Sequence, residues 1–133
     1  MPRTLHGMDL IRREDVPAQR LPGRVIQSVL GRDAHVASGK MTVGFARYAA
    51  DSGPMEPHQH AEETLFVIAA RDGWVRAGQA PDRLGPEVPL QAGMVLHFPA
   101  LEWHQFGYAG DGFVDVLFCY GQVDYIRPED MAR

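Results

Sequence analysis

Cysteine is almost missing from this chain. Cys119 is the only one in 133 residues, so no disulfide can form within the chain, and a reducing compartment, the cytoplasm, is expected. A surplus of positive charge is missing too. Thirteen Lys and Arg stand against seventeen Asp and Glu, giving a net charge of −4, and the basic residues are scattered. A nucleic-acid partner would need a concentrated basic face, so none is expected. Long apolar runs are also lacking: 64–70 and 113–120 each span fewer than ten residues, whereas a membrane helix needs about 20. The first fifteen residues, MPRTLHGMDLIRRED, hold no apolar segment of signal-peptide length, and Met8 is an alternative start.

Helix signals are sparse as well. Residues 10–16 can form one turn, and 127–131 can start another, with Pro128 near its first position. What the chain does have is punctuation. Fourteen glycines and ten prolines divide it into short pieces rich in β-branched and aromatic residues. Strands are expected over 24–30, 40–48, 64–70, 74–77, 94–98, 103–108 and 113–120. Turns at 51–54, 71–73 and 110–112 would separate them. Short strands at this spacing predict an all-β single domain over 1–133. Its form would be an antiparallel β-barrel or jelly roll with a core at about 24–120 and a loose tail over 1–10. The Pro- and Gly-rich stretch 78–90 reads as a surface loop.

Against this background the segment 56–66, EPHQHAEETLF, is unusual. Residues two apart on an extended segment project to one side, so His58 and His60 face the same way. Glu62 and Glu63 follow at once, and His104 lies on a later strand candidate in WHQF. Imidazoles with a carboxylate suit one divalent transition metal (iron, manganese, nickel, cobalt or zinc), whereas calcium or magnesium would call for more oxygen donors.

The order Gly53, His58, His60, Glu63, Gly73, followed by Gly93, Pro99 and His104, resembles the two motifs of the cupin family over roughly 40–120. Leu101 stands where the family's second motif has glycine. The resemblance implies a double-stranded β-helix barrel with His58, His60, Glu63 and His104 as metal ligands. Strand parity alone would choose Glu62, which stays open as the alternate carboxylate. The family spans dioxygenases, isomerases, lyases, decarboxylases and non-catalytic sensors. The expectation is a metal-dependent enzyme acting on a small organic substrate, most readily a dioxygenase-type oxidoreductase, with a ligand-sensing protein as the alternative.

Further residues are candidates around such a site. His97, two residues before Pro99, can be a general acid or base or a satisfied core histidine. On strand 40–48 one face carries Met41, Val43, Phe45 and Arg47, and the other Thr42, Gly44, Ala46 and Tyr48. Small residues on the second face would leave room for a ligand, with Tyr48 as a polar handle. The opposite assignment would place Arg47 inside. Trp103 and Phe106 read as pocket wall or core, Arg24 and Arg76 as surface charges, and Cys119 as a small packed hydrophobe. Strands apolar on both faces predict a homodimer.

Overall fold

The computed structural model describes residues 7–123, together with the backbone of Arg3–Leu5. Ten strands, β1 (Arg3–Leu5), β2 (Met8–Leu10), β3 (Ala18–Leu21), β4 (Arg24–Gly31), β5 (Val36–Ala37), β6 (Thr42–Ala49), β7 (Glu63–Gly78), β8 (Val88–Pro89), β9 (Val95–Phe98) and β10 (Trp103–Tyr120), carry the fold. The only helical turns among the described residues are two 3-10 turns, Arg13–Asp15 and Ala50–Ser52. The first falls inside the predicted 10–16 turn; the predicted turn at 127–131 lies outside the described residues.

Strands β3-β4-β6-β10-β7-β8 hydrogen-bond in that order, with β5 on β4 and β9 on β7. The pairings are antiparallel except β4 with β5. The ladder does not close on itself, yet β4, β6, β7 and β10 turn their inward residues toward one common interior. It is an open β-barrel.

One expectation is corrected here. The turns at 71–73 and 110–112 do not reverse the chain; β7 and β10 run through them as single strands. Tyr108 pairs with Gly73 and Phe113 with Arg71, so four residues of β10 oppose one of β7, and both strands bend there. Positive φ at Asp72 (51°) and Gly110 (55°) supplies the bend, so the turn chemistry is present but serves a different end. Within residues 1–10, β1 and β2 pair as a two-stranded sheet of their own, outside the barrel ladder.

The long strands alternate as a half-buried sheet should. On β7 Glu63, Leu65 and Val67 point in, and on β10 Val114, Val116, Phe118 and Tyr120 do. Burying each large apolar side chain contributes roughly 1.5–3 kcal/mol. Register then sets the rows of the interior: Glu63, Tyr120 and Thr42 are direct cross-strand neighbours at the end of their strands. That row is polar, whereas the Val67–Val116–Ala46 row is wholly apolar. Polar side chains return farther along β6 at Tyr48, whose direct neighbour on β10 is Val114.

The N-terminal segment is clamped to the outer face. Arg13 donates two hydrogen bonds to the Asp115 carboxylate, at 2.8 and 2.7 Å, and a third to Gln27. Its guanidinium also lies 4.3 Å above the Phe45 ring. This clamp precedes the β3–β4 hairpin, whose Pro22-Gly23 turn has Gly23 at φ 84°, the left-handed geometry that a Pro-Gly type II turn requires. The Gly23 N–H donates to Ser52 O at 2.9 Å, and a Cβ at Gly23 would lie 2.9 Å from Met55 Cα. The hairpin tip is thereby pressed against the loop that leads into His58.

Candidate metal centre

His58 and His60 lie on the extended segment before β7, and His104 is the second residue of β10. A two-way backbone bridge locks the two regions together: His58 N–H donates to His104 O (3.0 Å) and His104 N–H to His58 O (2.9 Å). Leu101 N–H donates to His60 O, and Leu101 itself sits at φ 69°. That is the left-handed region, which glycine enters freely and leucine accepts here at some conformational cost.

The three imidazoles meet with ring centroids 4.5 to 5.1 Å apart. One potential ligand atom from each lies within 4.8 Å of the others, a span only slightly wider than twice a metal–nitrogen bond of roughly 2.1 Å. Three histidines can thus hold one metal ion. Their tautomers are set by the main chain. Each Nδ1 faces a backbone carbonyl, of Glu56 (3.4 Å), Ala61 (3.2 Å) and Glu102 (3.0 Å) respectively. With the proton held on Nδ1, each Nε2 presents its lone pair to the interior, at His60 toward the Tyr120 hydroxyl 3.2 Å away. Phe98 stacks on His104 with centroids 4.1 Å apart and planes 8° from parallel, fixing that ring further.

Glu63 lies beside the cluster. Its Oε1 lies 3.5 Å from His60 Nε2 and 3.8 Å from His104 Nε2. Both Glu63 Oε1 and His104 Nε2 are buried without a hydrogen-bond partner. Such orphaned atoms carry a desolvation cost of about 1–3 kcal/mol each unless something binds them. The Tyr120 hydroxyl donates to the Glu63 carboxylate and lies 3.2 Å from His60 Nε2.

Burial dominates the protonation states. It pushes His58 down to about 2, with the neighbouring His104 and His60 adding to the effect. His60 falls to about 4 through burial, against the opposing bond to Ala61 O. His104 falls to about 3 through burial and then His60. All three are neutral at pH 7, the form that binds metal. Burial pushes Glu63 up to about 8, with the bond from Tyr120 opposing. A donor set of three neutral imidazoles and one carboxyl with orphaned lone pairs fits a borderline divalent ion.

Beside the cluster lies a cavity of about 440 Å³, lined among others by Arg24, Ile26, Thr42, Ala46, Tyr48 and Phe118. Of the two faces weighed for β6, the one carrying Thr42, Ala46 and Tyr48 points inward. The expectation that its small residues leave room holds at Ala46 but not at Gly44, where a Cβ would meet the Phe118 ring at 2.5 Å. Arg47 points outward and lies over Phe113. Tyr48 stacks on Phe106, with centroids 4.6 Å apart. Burial, followed by the charge of Glu63, raises its pKa and keeps its hydroxyl protonated.

His97 requires a correction. On β9 Leu96 and Phe98 face the core, so His97 faces out, and its Nε2 lies 2.6 Å from Glu62 Oε2 in an exposed pair. The same parity turns Glu62 away from the histidines. Phe106 is core, and neither it nor Trp103 lines the cavity. Two further residues belong to the site that the sequence alone does not bring out, Tyr120 and Arg24. The alternation of 114, 116, 118 and 120 is the signal for the former. Only the hairpin position reveals the latter.

No family model and no curated protein matches this chain. Solved structures do. A protein from Planctomyces limnophilus is 17% identical with a TM-score of 0.64, covering 86% of this chain and 90% of its own. The polyketide cyclase RemF from Streptomyces resistomycificus is 20% identical with a TM-score of 0.64, covering 91% of this chain and 82% of its own. Oxalate decarboxylase from Lactobacillus farciminis is 21% identical with a TM-score of 0.63, over 86% of this chain but only 32% of that longer one. These likenesses define the class of fold: the chain has the cupin fold, a mostly antiparallel open barrel with a histidine cluster able to hold a metal.

Proposed function

We propose that His58, His60, His104 and Glu63 hold one divalent transition metal ion and that the protein is a metal-dependent enzyme acting on a small organic molecule, of the dioxygenase-type oxidoreductase class. The observation that carries this reading is the pair of orphaned buried atoms, Glu63 Oε1 and His104 Nε2, facing two further imidazoles beside a cavity. A divalent ion held by these residues would still have room to bind an exogenous ligand. Such an ion supplies Lewis-acid polarisation and, when redox-active, electron transfer between substrate and dioxygen.

The chain's own residues bind, orient and exclude water. Ile26, Ala46 and Phe118 give the cavity apolar walls, and Tyr120 holds the Glu63 carboxylate in place. Tyr48 offers a protonated hydroxyl to an oxygen of the substrate, a hydrogen-bond donor rather than a base. With His97 outside, the described cavity residues include no imidazole besides His58 and His60. That composition suits chemistry driven by the metal. It equally suits a metal-containing ligand-binding or sensing protein, the second reading. Oxygen uptake by the iron-loaded protein with catechols and diketones separates the two: uptake with at least one of them is expected. Tight ligand binding without turnover under any metal would favour the sensor.

A homodimer is also proposed, supported by the exposed apolar outer face of β7 and β9, where Phe66 pairs with Val95. A reducing cytoplasm suits the free Cys119. Light scattering is expected to give the mass of two chains, and the mass of one would refute the dimer.

A further inference from the structure

Arg24 has no role in the site as described so far, yet its place is unusual. Among the described residues it is the only Lys or Arg lining the cavity, and Glu63, already assigned to the metal, is the only carboxylate there. Among the described residues Arg24 makes no ion pair; its one hydrogen bond goes from Nη1 to the carbonyl of Pro22 at 3.0 Å. Some arginines elsewhere do form ion pairs, Arg13 with Asp115, Arg20 with Asp51 and Arg71 with Asp111, whereas Arg76, which does not line the cavity, also bonds only to backbone carbonyls. Arg24 instead follows the Pro22-Gly23 turn, whose tip is fastened to Ser52 and packed on Met55. The turn thus carries a half-buried guanidinium to the wall of a pocket that His58, His60 and Glu63 also line.

An unpaired guanidinium facing a partly desolvated cavity calls for an anion, and its planar fork matches a carboxylate. The metal reinforces the preference. A divalent ion with one carboxylate ligand leaves a local charge of +1, and Arg24 adds another, inside a chain that is negative overall. The shared lining mixes apolar Ile26 and Phe118 with polar Ser28, Thr42 and Tyr48, and a cavity of about 440 Å³ admits a molecule of modest size.

We infer that the ligand of this site is a small carboxylate-bearing molecule whose carboxylate is held by Arg24 while its opposite end reaches the metal. This inference rests on the metal reading. It assigns Arg24 as a specificity-determining residue.

The test uses two probes with the same metal-binding head, 3,4-dihydroxybenzoate and its neutral amide, titrated calorimetrically into zinc-loaded wild type, Arg24→Gln and Arg24→Lys. Metal content is measured on the same samples. Wild type is expected to bind the acid at least about tenfold more tightly than the amide, the scale of a hydrogen bond between charged groups. Arg24→Gln should abolish that preference at full metal content, and Arg24→Lys should keep part of it. Equal binding of acid and amide to wild type, no binding of either, or a preference unchanged in Arg24→Gln would each overturn the inference and leave the metal reading untouched. Failure of wild type to retain zinc would refute the metal reading, and a preference for the acid that persists there and disappears in Arg24→Gln would still support the anion site.

Discussion

His104→Gln is expected to lower metal affinity by more than about 100-fold while the protein stays folded. Removing an outer-shell partner alone typically costs roughly 10–100-fold, and this change removes a ligand itself. Glutamine is chosen over alanine because His104 is 1% exposed and stacked on Phe98, so truncation would also open a cavity. Its carboxamide offers only a weak donor near the vacated Nε2 position. Metal content after dialysis against a chelator of known affinity measures the loss, and circular dichroism checks the fold. Wild-type stoichiometry in a folded His104→Gln would remove His104 from the proposed ligand set.

Glu63→Gln is expected to act in opposite directions on binding and on stability. Metal affinity should fall, because the only carboxylate donor of the cluster is gone. The metal-stripped protein should become more stable at alkaline pH. Glu63 carries a folded pKa of about 8, raised from 4.5 by burial. Between these values the native state binds more protons than the unfolded chain, so stability falls as pH rises from 4.5 to 8 and stays reduced above 8. The substituted carboxamide cannot ionise, so that loss disappears, a difference of the order of 2 kcal/mol or more near pH ~8.5. Below pH 4.5 the two proteins should lose this difference. The histidines contribute the reverse slope: their pKa values are depressed from 6.5, so the unfolded chain alone takes up protons as pH falls below 6.5, and stability drops. Urea midpoints of the metal-free proteins at about pH 4, 6 and 8.5 test this. A wild type no less stable than Glu63→Gln at the highest of these would show that Glu63 is not held as a buried acid.

Much of the fold was legible because strands announce themselves locally. Alternation and turn residues placed β4, β6 and β9 within a few residues of their observed bounds. The joining of 64–70 with 74–77, and of 103–108 with 113–120, was not legible. Asp72 and Gly110 bend a strand with the same positive φ that would reverse it, and only the partner strand decides between the outcomes. At the site, the i, i+2 rule brought out His58 and His60, and spacing brought out His104. The direction of Glu62 and Glu63 depends on where β7 begins, which is a matter of register rather than composition. His97 illustrates the same limit: its strand was legible, but its side was not. Arg24 depends on more distant information still, since a guanidinium looks like any surface charge until the hairpin before it is docked.

The Nδ1 atoms of all three histidines rest on peptide oxygens rather than on side chains. Main-chain oxygens cannot be mutated away, so the residues at 56, 61 and 102 can change identity without releasing the rings, provided the loops keep their path. Aim is thereby separated from spelling. A barrel built this way can drift far in sequence and take up new cargo at its rim while the innermost geometry stays put.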